Sequence, residues 1–165
     1  MNTEELKKLQ SPLKEKYKSE PGAALITLKA ESHLGEGISC KIESGKAMVE
    51  AGLHPATGGT GGLACSGDML LEALAACAGV TLKAVATSIG IHVRGGTIYT
   101  EGDLDFRGTL GVSKEAPVGF KAIRLTFNLD CDAGEEQLNN LLRLTERYCV
   151  VFQTLKNAPE ISIVK

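Results

Sequence analysis

The chain has 165 residues, 43% hydrophobic and 23% charged, which suits one packed domain and excludes a disordered chain. Eighteen Lys and Arg against 20 Asp and Glu leave a net charge of -2, and there is no Trp and no basic run with interleaved aromatic residues. Those features exclude a nucleic-acid surface.

The first 20 residues, MNTEELKKLQSPLKEKYKSE, are charged throughout. They lack the apolar run of a secretory signal and read as a helical arm over 1–20, interrupted at Pro12. Short strands are expected over 23–30, 37–43 and 46–53, separated by Gly and Ser turn signals. A Gly-rich loop, HPATGGTGGLACSGD, then runs from His54 to Asp68.

The segment MLLEALAACAGVTLKAVATSIG is the most apolar of the chain and predicts a helix covered on most sides. Ser66 is its expected N-cap, Asp68 suits the positive end of its dipole, and Gly90 is placed to stop it. Its longest uncharged stretch, 73–82, falls short of the ~18–20 residues that cross a bilayer. The expectation is therefore a cytoplasmic protein with neither a membrane nor a nucleic acid as partner.

A strand pair is predicted over 91–107. In IRLTFNLDC, Ile123, Leu125, Phe127, Leu129 and Cys131 alternate with Arg124, Thr126, Asn128 and Asp130, the pattern of a half-buried antiparallel strand. Gly134 precedes a helix, EEQLNNLLRLTERYC, with an acidic first turn. Leu138, Leu141, Leu142, Thr145 and Cys149 form its apolar stripe. A helical turn, VVFQTLKN, and a last strand, EISIV, complete the expected order, a single α+β domain over 1–165.

Few motifs carry chemistry. GGTGG lacks the Gly-Lys-Ser/Thr ending of a phosphate loop, so it reads as a flexible connection. His33, His54, His92 and the cysteines show no metal-ligand spacing, and G-x-S-x-G is absent. Neither a cofactor nor a metal is expected. Five cysteines, Cys40, Cys65, Cys77, Cys131 and Cys149, are spread too widely for a disulfide framework. Taken alone, each reads first as a small hydrophobe in a strand, loop or helix.

Two longer stretches weigh against that for Cys77 and Cys149. LACSGDMLLEALAACAGVTLKAVATSIGI resembles the central helix of the OsmC/Ohr family of osmotically inducible and organic-hydroperoxide-resistance proteins. LTERYCVVFQTLKNAPEISI resembles its second landmark, a helix ending at a cysteine before a Thr-Leu turn and a final strand, and APVGFKAIRLTFNLDC resembles its lead-in. The resemblance covers roughly 23–165. It implies antiparallel sheets around a buried central helix and a second helix, in an intertwined homodimer. It also implies a thiol peroxidase, with Cys77 as the nucleophile that becomes a sulfenic acid and Cys149 as the thiol that resolves it to a disulfide. Its partners would be a small organic hydroperoxide and a thiol reductant. The alternative is a binding protein of the same fold, holding a small apolar ligand at the dimer interface without turnover.

The resemblance also shows departures. Family peroxidases lower the pKa of the cysteine with an early-strand Arg, held by a Glu ten residues before that cysteine. Here the first Arg is Arg94 and the corresponding position is Gly67. Asp68 is the substitute acidic partner expected at the site, with Lys29, Lys41 or Lys46 as sources of charge. No Pro follows Cys149.

Overall fold

The computed structural model describes residues 2–19, 31–34, 39–43, 48–111 and 113–165. In chain order they form α1 (Thr3–Ser19), β1 (Glu31–Leu34), β2 (Ser39–Glu43), β3 (Met48–Gly52), β4 (Ala64–Cys65) and α2 (Ser66–Ile89). They continue with β5 (Val93–Asp103), α3 (Phe106–Thr109), β6 (Ala122–Cys131), α4 (Glu135–Tyr148) and α5 (Val150–Lys156). The chain divides into two compact units: Met1–Ile26, Ala73–Tyr99 and Leu125–Lys165 make the first, and Thr27–Glu72 and Thr100–Arg124 the second.

The first unit holds a core of Leu82, Val85, Ala86, Val93 and Leu141, with Ile91, Phe127, Leu129, Leu142 and Leu144 packed around it. The alternation read in β6 is the alternation observed, its odd-numbered residues half-buried and its even-numbered ones exposed. Helix α4 begins after Gly134 with Glu135 and Glu136 in its first turn, and buries Leu141 and Thr145. Helix α2 buries Leu74, Ala78, Leu82, Val85 and Ala86 along one face. It ends where Gly90 enters the left-handed region at φ 75°. There the Ile91 N–H reaches Ala86 O at 2.9 Å and the Gly90 N–H reaches Thr87 O at 3.4 Å, the paired closure that glycine permits at a helix end. With a mean hydropathy of 1.7 over its most apolar window, α2 is long and apolar enough by those measures alone to cross a bilayer.

In the second unit, β1, β2 and β3 form an antiparallel sheet, and β4 joins β3 in parallel through Ala51–Ala64 and Gly52–Cys65. The Gly-rich loop therefore contains structure, this strand and a short 3-10 turn over Pro55–Thr57, ahead of α2.

Four expectations are corrected. Helix α1 runs unbroken through Pro12, because a proline withholds one N–H and the flanking turns keep theirs. The strand pair over 91–107 is one strand, β5, followed by the turn of α3. Gly96 carries the strand onward at φ 145°, where an added Cβ would lie 2.4 Å from Asn128 O. The glycine serves close strand approach. Strand β1 was not foreseen, and the segment 160–164, expected as a strand, enters no ladder among the described residues. The strand expected over 23–30 lies outside the described residues.

Leu141 is 0% exposed and joins α4 to the α2 face. Leu141→Ala is expected to cost ~2–5 kcal/mol, read as a lower urea midpoint at unchanged slope.

Candidate active site

Cys77 and Cys149 are 72 positions apart in sequence, and the first unit brings their sulfurs together. Cys77 lies in the middle of α2, half-buried, one turn before Thr81. Cys149 is fully buried at the corner where α4 ends and α5 begins, serving as C-cap of one helix and N-cap of the other. Its backbone is committed on both sides: its N–H donates to Thr145 O at 2.9 Å, and its carbonyl accepts the Gln153 N–H at 2.9 Å. The corner is braced outside by Gln153 Nε2 donating to Glu146 O at 2.8 Å and by Lys156 paired with Glu146 at 2.6 Å.

The two thiols differ in acidity. Burial alone would push Cys77 up, but the Val151 N–H, the Cys149 thiol, the Val150 N–H and the Thr81 hydroxyl are directed at its sulfur and bring its pKa below the ordinary thiol value. Burial pushes Cys149 up, the Phe152 N–H opposes it, and the hydrogen bond to Cys77 and the charge of Cys77 add to the rise against a last, smaller opposition from the Val151 N–H. Cys77 is therefore the more acidic thiol of the pair and Cys149 the less acidic one.

No cation acts on Cys77 among the described residues. Arg94 pairs with Asp130 at 2.5 Å and also with Asp132; Arg107 pairs with Asp105 at 2.6 Å and Arg124 with Asp103 at 2.5 Å. Lys29 and Lys46 lie outside the described residues, and of Lys41 only the backbone, in β2, is described. Asp68 stands exposed in the first turn of α2 and is not among the groups acting on Cys77. Thr81, Val150 and Val151 were not singled out from sequence. The i, i+4 spacing of Cys77 and Thr81 was the available signal for the first, whereas the valines act through their backbone and leave no mark in side-chain type.

An apolar cavity of about 380 Å³ reaches the buried thiol, lined by Ala78, Leu125, Phe127, Leu142, Cys149 and Phe152, with Arg143 and Glu146 as its charged members. Its volume and lining suit a small, mostly apolar molecule.

The Val150 N–H is free of helix duty, since Val150 is the first residue of α5 and Cys149 before it is extended at φ -73°, ψ 108°. Proline fits such a position. Val150→Pro is expected to keep the melting temperature within a few degrees while raising the Cys77 pKa. The alkylation rate of Cys77 with iodoacetamide, which follows the thiolate fraction, should then rise with pH along a curve displaced to higher pH than in the parent. An unmoved curve would remove the Val150 N–H from the site.

Comparison with known proteins places this arrangement in context. A sequence model of the family described as OsmC-like protein matches residues 59–164, more than half of the chain. An OsmC-like protein from Mycoplasma pneumoniae superposes with a TM-score of 0.69 at 17% identity, covering 81% of this chain and 89% of its own. An organic hydroperoxide resistance protein OsmC from Legionella pneumophila gives 0.64 at 19%, covering 81% and 92%. The organic hydroperoxide resistance protein OhrB of Bacillus subtilis gives 0.55 at 21%, covering 82% and 94%. At these identities the likeness is one of fold. No curated protein matches the chain.

Proposed function

Because this chain belongs to the OsmC-like protein family, we propose that it is a thiol-dependent reductase of organic hydroperoxides, with Cys77 as nucleophile and Cys149 as resolving thiol. The observation that carries this reading is the unequal pair: a thiol lowered by directed donors faces one raised by burial. Two cysteines serving only to fill a core need no such asymmetry.

In the proposed cycle the Cys77 thiolate attacks the terminal oxygen of R–O–O–H. The O–O bond breaks, Cys77 becomes a sulfenic acid, and the electron pair leaves with the alkoxide. Cys149, the protonated partner, supplies the proton that releases the alcohol. Its thiolate then attacks the Cys77 sulfur and expels hydroxide, leaving the Cys77–Cys149 disulfide. Two equivalents of an external thiol return the pair to its starting state and are themselves oxidised to a disulfide. The apolar cavity at Cys149 favours an alkyl hydroperoxide over hydrogen peroxide, and thiol recycling favours the reducing cytoplasm.

The same reading includes an intertwined homodimer. Only 28% of the most apolar window of α2 is buried within one chain, and Val80 on that helix is 73% exposed. The C-terminal residues Ile161 and Ile163, in no ladder among the described residues, are 83% and 94% exposed, which suits a strand completed by a second copy. The full chain is expected to scatter light as a dimer at micromolar concentration, and deletion of 160–165 to weaken that dimer. A well-folded monomer of the full chain would count against this part of the reading.

One equivalent of cumene hydroperoxide should convert the reduced protein to an intrachain Cys77–Cys149 disulfide. Cys77→Ser should abolish peroxide consumption, and Cys149→Ser should give a single turnover that leaves Cys77 as sulfenic or sulfinic acid. Peptide mapping by mass spectrometry beside peroxide loss reads all three. Equal, slow consumption by the three proteins would favour the alternative, a binding protein that holds an apolar ligand without turning it over.

A further inference from the structure

A second cavity, of about 350 Å³, lies wholly within the second unit, and neither Cys77 nor Cys149 lines it. Its walls come from three places in the chain. The turn after β3 brings Leu53 and His54, the start of α2 brings Gly67, and the stretch from the end of β5 to the start of β6 brings Leu104, Phe106 and Phe120.

Three features narrow what it would hold. The first is its aromatic content: two of the four phenylalanines of the chain line it, and the His54 ring stacks on Phe106 with centroids 4.9 Å apart and planes 18° from parallel. Flat, nearly parallel ring faces select a flat guest. The second is its electrical neutrality, since none of the described residues lining it is an Asp, Glu, Lys or Arg. A charged guest would lose its hydration there with no opposite charge in return. The third is a fixed polar direction on the histidine. His54 Nδ1 accepts the Ala56 N–H at 3.0 Å, so the proton of the neutral ring sits on Nε2, which offers a donor to an acceptor on the guest.

Gly67 keeps the space open. A Cβ built there would lie 3.6 Å from Cys65 Sγ, from Leu104 Cδ1 and from Phe120 Cζ, ordinary contact distances with all three walls at once. A single methyl group therefore fits the backbone and fills the gap between the walls. The glycine has no positive φ to explain it, and in a helix it carries an entropic cost relative to alanine.

We propose that this cavity is a second small-molecule site, for a neutral, planar aromatic compound bearing one hydrogen-bond acceptor. It is independent of the peroxidase reading, because no residue of the thiol pair lines it.

The probe is 2-naphthol, neutral at pH 7, titrated into the full-length protein and followed by its own fluorescence and by amide shifts in two-dimensional NMR. Saturable binding is expected, with shifts at residues 53–57, 65–67 and 104–120. Gly67→Ala should retain the circular dichroism and melting temperature of the parent yet weaken binding by about tenfold or more, the added methyl occupying the guest's space. Phe106→Leu should weaken it as well, by removing a stacking face instead of filling the cavity. Cys77→Ser should bind as the parent does, so a failed peroxidase leaves this test intact. Absence of saturable binding up to millimolar probe, equal affinity in Gly67→Ala and the parent, or equal affinity for the saturated analogue decahydro-2-naphthol would each overturn the proposal.

Discussion

A thiolate held against an apolar helix gives up water, and that loss must be offset by donors placed before the charge forms. The site around Cys77 is organised by this constraint. Helix α2 is among the least polar segments of the chain and offers Cys77 only one hydroxyl of its own, Thr81. The remaining donors come from the corner between α4 and α5, where Val150 and Val151 present N–H groups that α5 cannot use internally. The first N–H groups of any helix lack an intrahelical acceptor. Turning them toward sulfur satisfies them and stabilises the anion with the same contacts.

The corner exists because Cys149 belongs to two helices at once. Its N–H closes α4 and its carbonyl opens α5, so its side chain is fixed by backbone bonds on either side and buried between them. Thr145, one turn earlier, is itself buried and satisfies its hydroxyl on Leu141 O at 2.8 Å, which leaves no unmet polar group beside the thiol. The departure of this chain from its family's pattern acquires a physical meaning here. A proline after the second cysteine would have no N–H to offer, whereas Val150 has one. Among the described residues, the groups that lower the Cys77 pKa are the Val151 and Val150 N–H groups, the Cys149 thiol and the Thr81 hydroxyl.

Much of this was legible in the sequence, and the boundary of legibility is physical. The alternation from Ile123 to Cys131 fixed which face of β6 turns inward, and the Leu138–Leu141–Leu142–Thr145–Cys149 stripe fixed the face of α4, because burial acts on side-chain type at fixed spacing. The two cysteines stood out only through their surroundings in longer stretches. What was missed acts through backbone or through partners distant in sequence. Gly96 is a point of close strand approach, a property that depends on where Asn128 lies and leaves no mark in residue spacing. Ile161, Ile163 and Val164 carry a strand pattern, but a pattern cannot form a ladder without an edge to pair with. A search for a charged side chain near Cys77 was bound to overlook N–H groups, which every residue but proline carries.

The inequality between the two thiols also gives the proposed cycle a direction. The more acidic thiol ionises first, so in the proposed cycle Cys77 is the one to meet the peroxide while Cys149 holds the proton for the alkoxide. In the disulfide the same inequality works in reverse. A thiol of lower pKa is the better leaving group, so an incoming thiolate gains most by attacking the Cys149 sulfur and expelling Cys77. One set of donors, directed at Cys77 from the corner at Cys149, thus favours both halves of the proposed cycle, a more acidic nucleophile before oxidation and a better leaving group after it.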